Sequence, residues 1–211
     1  CITFISAALA QEPPQPQTPL PWAYALNTPG APTLTDAGVP FTLPNSERAF
    51  TFAEVRNLYL PPDWHPDAHP AMPSIVAQGR NPGVFACGYC HLPNGQGRPE
   101  NASVTGLPYE YIVQQFADYK AGLRSSAEPQ HGPASNMLAI GHNATDAEIA
   151  EAAAYFSALS PRVWIQVIET DTVPQTLISG WMFIAQEGGG REAIGQRIIE
   201  MPVDLGRTEV R

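Results

Sequence analysis

The chain has 211 residues, enough for one large domain or for a compact domain with extensions. Acidic residues outnumber basic ones 20 to 11, and the net charge of −9 argues against nucleic acid or an anionic membrane as a partner. Three cysteines are too few for a disulfide framework. No stretch after residue 10 is long and apolar enough to span a bilayer, so no transmembrane segment is predicted.

The first ten residues, CITFISAALA, are typical of the end of a secretory signal peptide. A short apolar stretch leads to Ala8-Leu9-Ala10, a small-residue cleavage site, while the basic start of such a signal is missing. Residues 1–10 are therefore predicted to be the remnant of a signal peptide that directs the protein to the periplasm. Two alternatives stay open, namely a buried apolar strand and a lipid-modified Cys1.

Residues 11–70 are predicted to form a proline-rich arm with one short helix. Proline fixes φ and removes a backbone donor, so a segment that begins QEPPQPQTPLPW is expected to be extended. Phe52, Val55, Leu58 and Tyr59 suit one face of the short helix, which a pair of prolines then ends. The segment DWHPDAHPAMP that follows has too many prolines for regular structure.

The stretch ACGYCHLP places Cys87, Cys90 and His91 in the spacing C-x-x-C-H, the attachment motif of c-type haem. In that chemistry the cysteines form thioethers with two vinyl groups of one porphyrin, and the histidine is the proximal iron ligand. A thioredoxin-like redox pair would need a strand directly before the motif, and GRNPGVFA has the character of a loop. A zinc site would need a second ligand pair at similar spacing, which is missing. The last alternative is two buried cysteines beside an incidental histidine. The sequence favours one covalently bound haem c.

Two helices are predicted after this motif. The segment PYEYIVQQFADYKAG has apolar residues at helical spacing, and Gly122 lies at its expected C-terminal end. The segment ATDAEIAEAAAYFSALSP is the clearest helix in the chain. Thr145 is its expected N-cap, Glu148 completes a capping box, and Pro161 ends it.

A sixth ligand of the iron is expected between these two helices. Met137 lies in what we expect to be a loop, and a loop can bring a thioether over the far face of the ring. Methionine is often core filler, but this position between haem motif and terminal helix favours Met137 as the distal ligand. The other candidates are His131, His142, His65, His69 and Met72. The last three are either a soft-metal or haem-edge cluster or proline-rich packing beside the haem.

Residues 161–211 are predicted to be a β-rich extension. The runs VWIQVIET, TLISGWMFIAQ and GQRIIEM are rich in β-branched and aromatic residues and are separated by a proline and a triple glycine. They favour a small antiparallel appendage. The final residues, DLGRTEVR, lack an obvious finish, which predicts a truncated C-terminus.

Residues 71–160 resemble a class I cytochrome c domain of the cytochrome c4 and bacterial c553 group. The likeness is carried by ACGYCHLPNGQG, GLPYEYIVQQFADYKAGLR, Met137 and ATDAEIAEAAAYFSAL. It implies an all-α fold wrapped around haem, with Cys87 and Cys90 covalently attached, His91 proximal and Met137 distal. The flanking segments resemble parts of longer exported two-haem cytochromes, although only one C-x-x-C-H occurs here.

Filled axial positions predict a protein that passes single electrons between periplasmic redox partners, such as a dehydrogenase and a terminal acceptor. Two alternatives stay open. An unoccupied distal position would allow catalysis or gas binding, with His131 or His142 as acid or base. In the second alternative, the chain is the cytochrome subunit of a periplasmic dehydrogenase and binds the dehydrogenase through the arm and the β-rich extension.

Overall fold

The computed structural model describes residues 23–210. The predicted signal remnant at residues 1–10 lies outside that range. The helices are α1 (Phe52–Val55), α2 (Ser74–Ala77), α3 (Cys87–His91), α4 (Tyr109–Lys120), α5 (Gly132–Asn143), α6 (Asp146–Ser157) and α7 (Leu205–Val210). The strands are β1 (Phe41–Thr42), β2 (Ala49–Phe50), β3 (Thr172–Pro174), β4 (Thr176–Ser179), β5 (Met182–Ala185) and β6 (Arg191–Ala193), and a 3-10 turn covers Pro66–Ala68.

Local sequence signals explain the two long helices that flank α5. In α6, the Thr145 hydroxyl oxygen accepts from the Glu148 backbone N–H, and the Glu148 carboxylate accepts from the Thr145 N–H at 2.8 Å. The predicted capping box is therefore confirmed. Helix α4 ends where expected, since Gly122 has a φ of +70°, a conformation that glycine adopts without a steric penalty.

The prediction that Met137 lies in a loop is wrong, because Gly132–Asn143 is helical. Pro133 lies in the first turn of α5, where its missing N–H has no partner to lose. The residues that follow, including Leu138 and Ala139, are good helix formers. Helix α5 packs closely on α4, since a Cβ on Gly141 would lie 2.7 Å from the Cβ of Tyr119.

Helices α2, α4 and α6 share the main hydrophobic core. Partly buried side chains packed against it include Cys87 and Met137, which lie on two further helices. The buried members are Ile75, Val76, Val84, Ile112, Phe116, Ala144, Ile149, Ala152, Ala153, Tyr155 and Phe156. A smaller cluster in the arm joins Val55 and Trp64, whose indole meets the Phe50 ring edge-on.

The β-rich extension differs from its prediction in detail. The segment TLISGWMFIAQ forms the antiparallel hairpin β4–β5, and β3 pairs with β6. The expected strands at 163–170 and 195–201 are wrong, because neither segment has strand structure. Val163 is 97% exposed and Ile198 98% exposed. Within the described part of the chain no strand pairs with either segment, and strand propensity needs a pairing partner to take effect. None of the described helices is long and apolar enough to cross a membrane.

Candidate haem site

The short helix α3 holds Cys87, Cys90 and His91 on little more than one turn. Residues three or four apart in a helix lie on the same face, so the motif presents two sulfurs and an imidazole together. Gly88, between them, lies against α2, and a Cβ there would be 2.9 Å from the carbonyl oxygen of Val76. A larger residue at this position would therefore push α3 away from the core.

The proline-rich arm supports the start of α3. The backbone N–H of Ala86, the N-cap, donates to the Leu58 carbonyl at 2.9 Å. The rings of Tyr59 and Phe85 meet edge-on with centroids 5.5 Å apart. The arm thereby fixes the entry of the chain into the haem-binding turn.

Burial keeps both thiols of the motif protonated at neutral pH. It raises the pKa of Cys87 to about 12, and it also raises the pKa of Cys90. A dithiol redox site needs the opposite shift, since the thiolate is the reactive form. Neither thiol is in a disulfide. The electrostatics therefore disfavour the thioredoxin-like alternative. The zinc alternative also lacks support, because the described residues contain no group of three or more His, Cys, Asp or Glu side chains that could hold a metal ion.

The imidazole of His91 is oriented by one backbone hydrogen bond. Its Nδ1 lies 2.8 Å from the Ala102 carbonyl oxygen, which can only accept, so Nδ1 carries the hydrogen. Burial lowers the pKa of His91, which favours the neutral ring. The lone pair is then on Nε2, the arrangement that a metal-ligating histidine needs. The Phe156 ring packs against the imidazole with centroids 6.2 Å apart.

The loop that follows α3 folds back under the histidine. The Gly97 N–H donates to the His91 carbonyl at 2.9 Å, and the Val104 N–H donates to the Gly95 carbonyl at 2.8 Å. Gly95 has a φ of +73°, and a Cβ there would lie 3.1 Å from the Phe156 ring. The loop therefore needs glycine at this position to bring Ala102 under the imidazole.

Residues 161–165, which follow α6 and which we call the strap, are hydrogen-bonded to this loop. The side-chain amide of Gln96 donates to the Arg162 carbonyl at 2.9 Å, and the Trp164 indole N–H donates to the Gly97 carbonyl at 3.1 Å. The strand predicted for VWIQVIET, residues 163–170, begins within this strap. The actual contacts of the strap depend on polar groups far apart in the chain, which no local pattern reveals.

His69 belongs to a buried hydrogen-bond network, and only 5% of its side chain is exposed. Its Nε2 lies 3.1 Å from an Asp63 carboxylate oxygen, and its Nδ1 lies 2.8 Å from the Pro70 carbonyl and 3.2 Å from the Tyr155 hydroxyl. That hydroxyl donates to the Pro93 carbonyl at 2.6 Å. The network links the arm and α6 to the turn two residues after His91.

The other ligand candidates fall into different surroundings. His65 and His142 are exposed, and Met72 packs against the main core. His131 is the N-cap of α5, between the rings of Tyr24 and Trp181.

The residues present fit haem c. Cys87, Cys90 and His91 are half-buried, and burial among protein atoms is the main cause of their pKa shifts. Met137, on α5, packs against the same core as Cys87. Two thiols, a neutral imidazole and a thioether are the donor set of a His/Met-ligated c-type haem.

Comparison with known proteins gives one curated relative of the region that holds this site. No family model matches the chain. Cytochrome c4 from Azotobacter vinelandii is 32% identical over 98 residues, which cover 46% of this chain and 45% of that protein. Over those residues the chain is similar to a c-type cytochrome. Haem c is accordingly its covalently bound cofactor. The match spans about half the length of the curated relative.

A solved structure gives a weaker likeness. Thiosulfate dehydrogenase from Marichromatium purpuratum, in its as-isolated form, is 30% identical to this chain. The match covers 42% of this chain and 18% of that one, with a TM-score of 0.36. At that TM-score the likeness supports no conclusion about fold or activity.

Proposed function

We propose that this cytochrome is an electron-transfer protein that carries single electrons through one haem c. Cys87 and Cys90 attach the haem, His91 is the proximal iron ligand and Met137 is the distal ligand. The observation that carries the proposal is the hydrogen bond from His91 Nδ1 to Ala102, because it leaves Nε2 available to a metal. When bound, haem c supplies a reversible one-electron iron couple.

Each side chain has a distinct role in this proposal. The two protonated thiols supply the sulfurs that become thioethers, and their attachment keeps the cofactor from being lost. Ala102 fixes the tautomer and orientation of His91, while Phe156 packs against its ring. The Met137 thioether would be the second protein ligand of the iron, and a thioether ligand would raise the potential of the couple. With both of these ligands supplied by the protein, no site would be left for substrate.

The cellular role is also part of this proposal. Residues 1–10 resemble a signal peptide, and c-type cytochrome chemistry suits an exported protein, so we place it in the periplasm. Its partners would be redox proteins, such as a periplasmic dehydrogenase and a terminal acceptor. The net charge of −9 favours partners with a basic docking surface. Association rates should therefore fall as ionic strength rises.

The alternative of an open distal position has less support. His131 is the N-cap residue of α5 and its ring packs between two aromatic rings, and His142 is exposed. Neither arrangement favours a histidine that acts as acid or base on a gas or peroxide bound at the iron.

Carbon monoxide binding tests the axial ligands directly. Protein made in a periplasm with haem-maturation machinery should show a c-type spectrum, and carbon monoxide should leave the reduced spectrum unchanged. Met137→Ala should bind carbon monoxide and have a lower reduction potential. Met72→Ala is the matched control, since Met72 is also partly buried against the same core. This variant should not bind carbon monoxide. A wild-type protein that binds carbon monoxide would exclude His/Met ligation, and a protein without covalent haem would exclude the whole proposal.

A further inference from the structure

The first turn of α5 is held by two segments that lie outside residues 71–160. One is the arm, through Tyr24, and the other is the turn of the β4–β5 hairpin, through Trp181, which is itself bonded to Asn27 of the arm. We call these contacts the clasp. They matter for the haem site because α5 also carries Met137, five residues after Gly132.

Trp181 is the centre of the clasp. Together with Gly180, it forms the two-residue turn between paired residues Ser179 and Met182. Both turn residues have positive φ, +56° for Gly180 and +66° for Trp181, as a type I′ turn requires. Asparagine or glycine suits the second position, whereas a bulky residue there is strained. The strain indicates that the indole side chain makes a contact that the fold requires.

That contact is with the helix itself. A Cβ on Gly132 would lie 2.6 Å from Cζ2 of the Trp181 indole and 2.8 Å from its Cε2. The indole therefore lies directly on the backbone at the start of α5, where only glycine leaves room for it. The Trp181 backbone N–H also donates to the Asn27 side-chain oxygen at 3.0 Å, so the turn is fixed to the arm.

His131 joins the two sides of the clasp. Its ring lies 5.9 Å from the Trp181 ring and 6.0 Å from the Tyr24 ring, centroid to centroid. Its carbonyl accepts the first hydrogen bond of α5, from the Ser135 N–H at 3.1 Å. A second bond closes the hairpin onto the arm, since the buried Ser179 hydroxyl donates to the Pro32 carbonyl at 2.7 Å.

We propose that Trp181 is a positioning residue for the distal ligand: the clasp fixes the first turn of α5 and so sets the place of the Met137 sulfur. Met137 lies about 7.5 Å along the helix from Gly132, at 1.5 Å per residue. Beyond it, Gly141 packs on Tyr119 of α4. The ligand is thus held between two close backbone contacts, and losing the first allows α5 to pivot about the second. This inference rests on the proposed axial ligation by Met137.

Two variants that break the contact from opposite sides test the proposal. Trp181→Gly removes the indole and keeps a residue that tolerates positive φ. Gly132→Ala leaves the indole in the chain but places a methyl group where it packs. Val173→Ala is the matched control, since it removes buried apolar groups from the β3–β6 sheet of the same extension. Far-UV circular dichroism and haem content would show that each variant is folded and loaded.

Three properties would be measured on each loaded protein: carbon monoxide binding to the reduced form, reduction potential, and the long-wavelength absorption band of methionine-ligated ferric haem. We expect the wild type and Val173→Ala to stay closed to carbon monoxide. Both clasp variants should bind it at least about tenfold more tightly than the wild type, with a lower potential and a weakened band.

The possible failures are distinguishable. Suppose that Trp181→Gly and Gly132→Ala keep the wild-type reduction potential and do not bind carbon monoxide, while Met137→Ala does bind it. The clasp then plays no part in positioning Met137, and this inference is overturned. If Val173→Ala also binds carbon monoxide, the effect is one of general stability, which also overturns this inference. If the wild type itself binds carbon monoxide, the proposed axial ligation fails and this inference fails with it.

Discussion

Glu148→Ala should lower the free energy of unfolding by about 1.5 kcal/mol at neutral pH. The Glu148 carboxylate has two roles at the start of α6. It accepts from the Thr145 N–H and hydroxyl, which completes the capping box, and it accepts from Arg80 Nε at 2.6 Å. The same guanidinium donates to the Asn143 carbonyl at 2.9 Å, so these contacts fasten the turn after α2 to the end of α5.

The expected magnitude follows from these contacts. Loss of the hydrogen bond from the Thr145 N–H to the carboxylate costs about 1 kcal/mol, while the Thr145 hydroxyl still caps the helix. The ion pair adds less, because the Arg80 side chain is 46% exposed and solvent screens the charges. For a chain of this size, about 1.5 kcal/mol corresponds to a fall of roughly 3–6 °C in Tm. Thermal unfolding followed by far-UV circular dichroism would measure it.

The pH dependence gives a stricter test of the same prediction. Arg80, followed by the Thr145 contacts, lowers the pKa of Glu148 from 4.5 to about 2. A carboxyl group whose folded pKa is depressed contributes stability above its unfolded pKa, and that contribution is lost as pH falls through the folded value. The difference in Tm between wild type and Glu148→Ala should therefore be complete at pH 6 and should shrink between pH 4.5 and about 2.

A control on the same helix separates this effect from a change in net charge. Glu151 is exposed on α6, so Glu151→Ala should change stability by less than about 0.5 kcal/mol. The reasoning is refuted if Glu148→Ala and Glu151→Ala have the same Tm. A difference between wild type and Glu148→Ala that stays constant down to pH 2 would also contradict it, since the carboxylate would then not be the stabilising species.

Two further predictions concern the surroundings of the haem motif. Tyr155→Phe removes the hydroxyl that donates to the Pro93 carbonyl, so urea unfolding should show a loss of about 1–2 kcal/mol. Burial raises the pKa of Tyr155 to about 12, so spectrophotometric titration of the wild type should show one tyrosine that ionises late and is missing from the variant. Gly88→Ala would place a methyl group 2.9 Å from the Val76 carbonyl oxygen, which should destabilise the fold by about 2 kcal/mol and lower the haem content. Gly190→Ala, where the nearest atom is 3.9 Å away, should do neither; equal haem content in the two alanine variants would contradict the packing argument.

The predicted elements that the structure confirms all depend on short-range patterns. The capping box of α6 needs only Thr145 and Glu148 three residues apart, and α4 ends at a glycine that adopts positive φ. The haem motif needs only five consecutive residues, because one helical turn brings its thiols and imidazole to one face. These features depend on residues within one or two helical turns of each other, and that spacing can be read directly from the sequence, so they could be predicted.

The failed predictions depend on partners far away in the chain. The run VWIQVIET has strand composition, yet no described strand pairs with it, and Trp164 instead bonds to the loop after His91. The sequence predicts that Met137 lies in a loop just ahead of α6. The segment is instead helical, and its first turn packs against the indole of Trp181, about 50 residues later in sequence.

The haem cofactor could be predicted from five consecutive residues, since C-x-x-C-H encodes haem attachment within one turn of helix. The support of that turn depends on contacts between distant parts of the chain. The tautomer of His91 depends on a carbonyl 11 residues away, the burial of His69 on a tyrosine 86 residues away, and the seating of α5 on the arm and the hairpin. Such contacts depend on close packing between distant segments, and no periodicity in the sequence records which segments will meet.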